Sequence, residues 1–156
     1  MAAVNALAET YGKPILYACH PRARQILALR DVRLHPLVRV HPPLGFHDYN
    51  QLQLHAYCVL SDSGTLPEES SFFRGQGLSF PAVCLRTSTE RPEALERGAF
   101  LLAGVQVDQV LAAVKTAVTM AKGQDWGTMA EDYRNGKISD QVASIIQSYA
   151  GLFSGK

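Results

Sequence analysis

The sequence predicts an α/β domain: a mainly parallel sheet with helices on both faces. Two observations predict it. Short apolar runs at residues 15–18, 37–40, 57–60, 82–85 and 100–103 alternate with segments of helical period. Strands joined through helices in this way pair in parallel and are covered on both sides. The chain has 156 residues and a hydrophobic content of 47%, the size and apolar share of one packed domain.

Each element has its own signal. Residues 1–10 read as the end of a helix, and Ile-Leu-Tyr-Ala at 15–18 as a buried strand leading to a helix at 22–29. Leu-Val-Arg-Val at 37–40 is the second strand. The helix at 46–56 carries Tyr49, Leu52 and His55 or Ala56 along one side. After the third strand, a turn through Gly64 leads into a helix at 67–73 that opens on Pro67, whose fixed φ suits a first helical turn. A fourth strand, a short helix at 91–97 opening around Pro92, and a fifth strand follow. The clearest helix is 107–121, where Val107, Val110, Leu111, Val114 and Val118 line one face. Residues 72–79 read as a glycine-rich loop.

The expected organisation is a domain over 1–121, a polar linker over 122–137 and a C-terminal helix over 138–156. The last helix carries Ile138, Val142, Ile145, Ile146 and Tyr149 on a face that needs a partner surface.

Charge and composition exclude several functions. A formal net charge of +1 gives no electrostatic grip on nucleic acid or an anionic membrane. Cys19, Cys58 and Cys84 are odd in number and lack C-x-x-C spacing, as expected of free thiols in a reducing compartment. Met1 to Thr10 does not read as a signal peptide, because Glu9 interrupts it. The longest apolar stretch, 99–121, is broken by Gln106, Asp108, Gln109 and Lys115, which argues against a membrane span. A soluble cytoplasmic domain is expected. The five histidines show no metal-ligand spacing and no catalytic-triad arrangement, so no metal and no cofactor are expected; His20, after the first strand, is placed to approach a ligand.

Two strand ends carry the chemistry. Asp62-Ser63-Gly64-Thr65 with Glu68-Glu69 puts small hydroxyl residues and a glycine between a strand and an acidic helix start. Backbone N–H groups and the helix dipole hold phosphate at such a place. Glu69, inside the first turns, is positioned to accept hydrogen bonds from a ribose. Thr89-Glu90-Arg91-Pro92-Glu93 repeats the layout at the next strand, and Arg91 there suits a diphosphate. Taken alone, Ser63-Gly64-Thr65 is an ordinary helix entry; with Glu69 and Arg91 at matching strand ends it reads as a nucleotide-diphosphate site. Tyr49 faces either the core or a base, and Arg91 has Glu93 or Glu96 as a bland alternative partner.

With Gly45-Phe46-His47-Asp48-Tyr49, Ser61 to Thr65 with Glu68-Glu69, and Thr89 to Ala94 in place, the chain resembles the C-terminal half of the non-hydrolysing UDP-N-acetylglucosamine 2-epimerase family. The phrases Gly45 to Tyr49, Glu68 to Ser71 and Cys19-His20-Pro21-Arg22, with the terminal Ile145 to Tyr149, look most similar to the subgroup that forms UDP-N-acetyl-L-fucosamine from a 6-deoxy-talose precursor for cell-surface polysaccharide. The resemblance implies a Rossmann-like C-terminal domain of a glycosyltransferase-B-like two-domain fold, lacking its first strand. Its final helix would pack across the domain junction.

As the resemblance has it, Tyr49 lies near the uracil and Ser63, Gly64 and Thr65 hold the diphosphate. Glu69 binds the ribose, and Arg91 sits near the phosphates. Most family members have a second glycine where Thr65 stands, although threonine suits the fucosamine subgroup, and their connection at 72–79 is shorter. Family chemistry eliminates UDP to a glycal-like intermediate and adds it back with inversion at carbon 2. The catalytic residues are unknown here: the carboxylates assigned to proton transfer belong to an N-terminal domain that this chain does not match. The implied partners are a UDP-sugar and an N-terminal half or a second copy of the chain. A catalytically silent UDP-binding module is the alternative.

Overall fold

The computed structural model describes residues 1–123, 128–134 and 136–153; the remainder of the expected linker and final helix lies outside the described residues. In order, the elements are α1 (Ala2–Tyr11), β1 (Ile15–Ala18), α2 (Pro21–Leu29), β2 (Val38–His41), α3 (Phe46–Leu54) and β3 (Val59–Ser61). They continue with α4 (Leu66–Gly75), β4 (Ala82–Cys84), α5 (Pro92–Glu96), β5 (Leu101–Leu102) and α6 (Val107–Ala121). A 3-10 turn at Glu131–Tyr133 precedes α7 (Ile138–Phe153).

The strands are parallel and lie in two pieces. β1 pairs with β2, Ile15 opposite Val38, and β4 sits between β3 and β5. Successive residues of a parallel strand turn their backbone groups to opposite sides. In β1, the Ile15 and Cys19 amides reach the β2 side, to Leu37 O at 2.9 Å and His41 O at 2.8 Å; Leu16 and Ala18 therefore turn theirs to the other edge. In β3, the Val59 amide reaches Pro81 O at 2.8 Å and Ser61 O accepts from Leu85, so Leu60 faces away from β4. At the amino ends of β1 and β3, the Tyr11 and Tyr57 rings lie 5.5 Å apart, with the Lys13 ammonium 4.8 Å from the Tyr57 ring centre. Side chains, rather than a hydrogen-bonded ladder, join the two pieces.

Two cores lie on opposite faces of the three-stranded piece, as the two-residue period of a strand dictates. Ala82 and Cys84 of β4 join Leu66, Phe80, Ala94 and Phe100 on one side. Val83 joins Leu7 of α1 and Val110, Val114, Ala117 and Val118 of α6 on the other. Phe80 and Phe100 are fully buried, and burial of each contributes roughly 1.5–3 kcal/mol. This packing holds the carboxyl ends of β3 and β4 in fixed register.

The loop expected at 72–79 starts later than expected, because α4 runs on to Gly75 rather than ending at Phe73. Phe73 stacks on Phe80 with ring centres 5.0 Å apart, and Arg74 Nη2 donates to Phe80 O at 3.0 Å. These contacts tie down the last turn, and Gly77 with a φ of +74° ends it. A side chain at Gly75 would collide with Met129, 2.8 Å from the Cβ position. Residues 128–134 pack against α4 and α5: the buried Ala130 donates its N–H to Ser71 Oγ of α4 at 2.9 Å, and Tyr133 donates to Glu93 Oε1 of α5 at 2.5 Å. Among the described residues, no helix is long and apolar enough to cross a membrane.

Candidate functional site

Both motif loops sit beyond the carboxyl ends of neighbouring parallel strands, β3 and β4, where sheets of this kind bind ligands. The buried Leu66 and Pro67 seat the start of α4, leaving Ser63, Gly64 and Thr65 exposed in front of it. Ser63 N donates to Ser61 Oγ at 3.0 Å, and Thr65 N to Ser63 Oγ at 3.3 Å. A Cβ built on Gly64 would meet no atom within 4 Å, so the space beside the turn is open.

The hydroxyls form a directed relay. Thr65 Oγ1 lies 3.0 Å from Glu69 Oε1 and 3.0 Å from Ser63 Oγ. A carboxylate only accepts, so Thr65 gives its single proton to Glu69 and must receive one from Ser63. The other oxygen of Glu69 accepts from Gln53 Nε2 at 2.9 Å. Gln53 lies on α3, one turn after Tyr49. Burial, and then the charge of Glu69, raise the Tyr49 phenol above its ordinary pKa, partly offset by the Gln53 amide. Tyr49 itself is partly buried.

The second loop joins the first through an ion pair. Arg91 Nε donates to Glu68 Oε1 at 2.7 Å, its Nη1 to Glu90 O at 3.3 Å, and its backbone N–H to Thr89 Oγ1 at 3.1 Å. The hydrogen bond to Glu68, followed by that carboxylate's charge, holds the guanidinium more firmly protonated. The sequence offered Glu93 or Glu96 as partners of Arg91. Glu93 instead takes Tyr133, whose hydrogen bond lowers the Glu93 carboxyl below its usual range. Arg86 forks onto Glu90 at 2.8 and 3.1 Å on the far side of the loop.

The structure thus links Ser63, Thr65 and Glu69 with Gly64 at the turn, carries Tyr49 one turn before Gln53 on α3, and ties Arg91 to α4 through Glu68. His20, placed by the sequence to approach a ligand, caps α2: its Nδ1 accepts from Arg22 N at 3.3 Å. Sequence reasoning missed Gln53, Glu68 as the partner of Arg91, and Tyr133. Only Gln53 left a signal, an amide four residues after Tyr49 on the same helix. Among the described residues, no group of three or more His, Cys, Asp or Glu is placed to hold a metal ion.

Comparison with known proteins gives a consistent picture. The pattern of the family described as UDP-N-acetylglucosamine 2-epimerase matches residues 1–147. The UDP-N-acetylglucosamine 2-epimerase of Methanocaldococcus jannaschii is 28% identical over 142 residues, 88% of this chain and 36% of that protein. The structure of UDP-N-acetylglucosamine 2-epimerase from Rickettsia bellii superimposes with a TM-score of 0.82 at 32% identity, over 97% of this chain and 40% of that one. The Methanocaldococcus jannaschii enzyme in complex with UDP-GlcNAc and UDP superimposes with a TM-score of 0.76 at 26% identity, over 94% and 39%. The chain therefore spans about two fifths of the length of these relatives. With nearly its whole length inside the family pattern, the chain belongs to the UDP-N-acetylglucosamine 2-epimerase family.

Proposed function

We propose that the chain is the UDP-binding part of a UDP-sugar 2-epimerase that inverts carbon 2 by elimination and re-addition of UDP. The reading is carried by the relay from Ser63 through Thr65 to Glu69 at the start of α4, tied by Glu68 to Arg91 on the neighbouring strand end. In this reading the loop amides and the hydroxyls of Ser63 and Thr65, with Gly64 leaving room, hold the diphosphate. Arg91 offsets the charge that builds on the departing UDP. Glu69 accepts from the ribose, and Tyr49 lies against the base. Proton transfer at carbon 2 is assigned to the portion of the relatives that this chain does not match. The partner is a polypeptide carrying that portion; the unpaired edges of β1 and β3 and the apolar face of α7 are its docking surfaces, with a second copy of the chain as the alternative occupant. Within the family, Gly45 to Tyr49 and Thr65 favour the subgroup acting on 6-deoxy sugars.

Titrating the full chain with UDP tests the site. Binding in roughly the high-micromolar to millimolar range is expected of an open cleft, and an Arg91→Ala, Glu69→Ala double variant should bind at least about tenfold more weakly. Equal binding by both proteins would remove the site. The second reading is a UDP-binding module without turnover. It predicts that the isolated chain leaves no deuterium at carbon 2 of UDP-N-acetylglucosamine in deuterated water.

A further inference from the structure

We infer that Gln53 is a positioning residue for ribose recognition: its buried amide orients the Glu69 carboxylate toward the ribose hydroxyls. The inference rests on the reading of Glu69 as the ribose acid. Gln53 is the one residue of α3 that is buried, at 6% exposure. Its orientation is dictated by its partner. Glu69 only accepts, so Nε2 must face it, and Oε1 is turned aside, where it is buried without a hydrogen-bond partner. An apolar side chain of the same length would fill this place without stranding a polar atom, so packing does not account for the amide.

What the amide adds is direction. Thr65 holds Oε1 of Glu69 from the loop and Gln53 holds Oε2 from α3. Two donors on two separate elements fix the carboxylate in one orientation before any ligand arrives, which reduces the ordering cost of binding. Each oxygen keeps further acceptor capacity for a vicinal diol. Because Tyr49 lies one turn away and is influenced by both Gln53 and Glu69, the same amide ties the base-facing ring to the ribose acid.

The test compares UDP with 2′,3′-dideoxy-UDP on the full chain, by calorimetry or NMR titration at several pH values. The wild type should favour UDP by about tenfold. Gln53→Met should weaken UDP by most of that factor while leaving the dideoxy ligand unchanged, so that the preference collapses. In Gln53→Glu the introduced carboxyl can donate only when protonated; the preference should be present in acid and fade as pH rises through the carboxylate range. A merely structural role would weaken both ligands in parallel with no new pH dependence. That result, or an unchanged preference in both variants, overturns the inference. Absence of UDP binding by the wild type would overturn the UDP reading, and this inference with it.

Discussion

Helices α6 and α7 are almost the same length, 15 and 16 residues, and each carries a row of aliphatic side chains at helical spacing. Their fates differ. On α6, Val110, Val114, Ala117 and Val118 are buried against β4, β5 and α1. On α7, Ile138, Val142, Ile145, Ile146, Tyr149 and Leu152 all lie in solvent; Ile145 is 59% exposed where Val114 is 2%. An amphipathic stripe states that a helix has a face to cover. It does not state whether the cover is present, and the isolated chain has a finished core on one helix and an unfinished surface on the other.

The comparison is broken most directly by charge. Val114→Asp should cost more than about 4 kcal/mol and leave the chain unfolded, because a carboxylate would enter the second core without a partner. Survival of a cooperative urea transition would mean that α6 is not the structural helix described here. A gentler probe is Val114→Ala, for which deleted methyl groups and the cavity they leave should cost about 2 kcal/mol; a shift in the urea midpoint at constant slope measures it.

The segment between the two helices marks where the docked part ends. Tyr133 is raised above its ordinary pKa by burial and then by its hydrogen bond to Glu93. A raised folded pKa means that the contribution is complete below the unfolded value, near about 10, and is lost as pH climbs beyond it. Burial also pushes the Cys58 thiol up to about 12, which adds to the same alkaline loss. Stability should therefore decline above about pH 9–10, and Tyr133→Phe should flatten that limb in a pH series of melts. An unchanged limb would separate residues 128–134 from the folded unit. The smallest effects belong to α7. Ile145→Asp, or removal of everything after Lys137, should change stability by less than about 0.5 kcal/mol, and a larger loss would reveal a contact that its exposed face does not show.

Much of this was legible in the residues, for identifiable reasons. β4 reads as a strand because Ala82, Val83 and Cys84 are uninterrupted apolar residues, and both of its faces are buried. α6 is legible because its period is strict. The region around 72–79 was not: the glycines at 75 and 77 suggested a loop, whereas the Arg74–Phe80 hydrogen bond and the approach of Met129 to Gly75 extend α4. Tertiary contacts overrode local propensity there. In the site, Ser63, Thr65 and Glu69 fall in one short motif that the sequence singles out, although the hydrogen bonds among them were not foreseen. The cross-links from Gln53 to Glu69, Arg91 to Glu68 and Tyr133 to Glu93 span 16, 23 and 40 residues. Nothing local encodes such pairs; they exist because β3 and β4 bring the segments around them together.

The division of the sheet sets how the molecule comes apart. Among the described residues, no ladder bonds run from the β1–β2 pair to the other three strands, and α2, which connects that pair, buries none of its residues. Ile26 and Leu29 on it are wet. The first forty residues hold to the rest mainly through α1 against α6 and through Ile15 against the second core. Such a lobe opens on its own at a lower free energy than the whole chain. Amide exchange should therefore run on two clocks, with β1 and β2 exchanging through a partial opening and Val83 and Cys84 only when the entire chain unfolds.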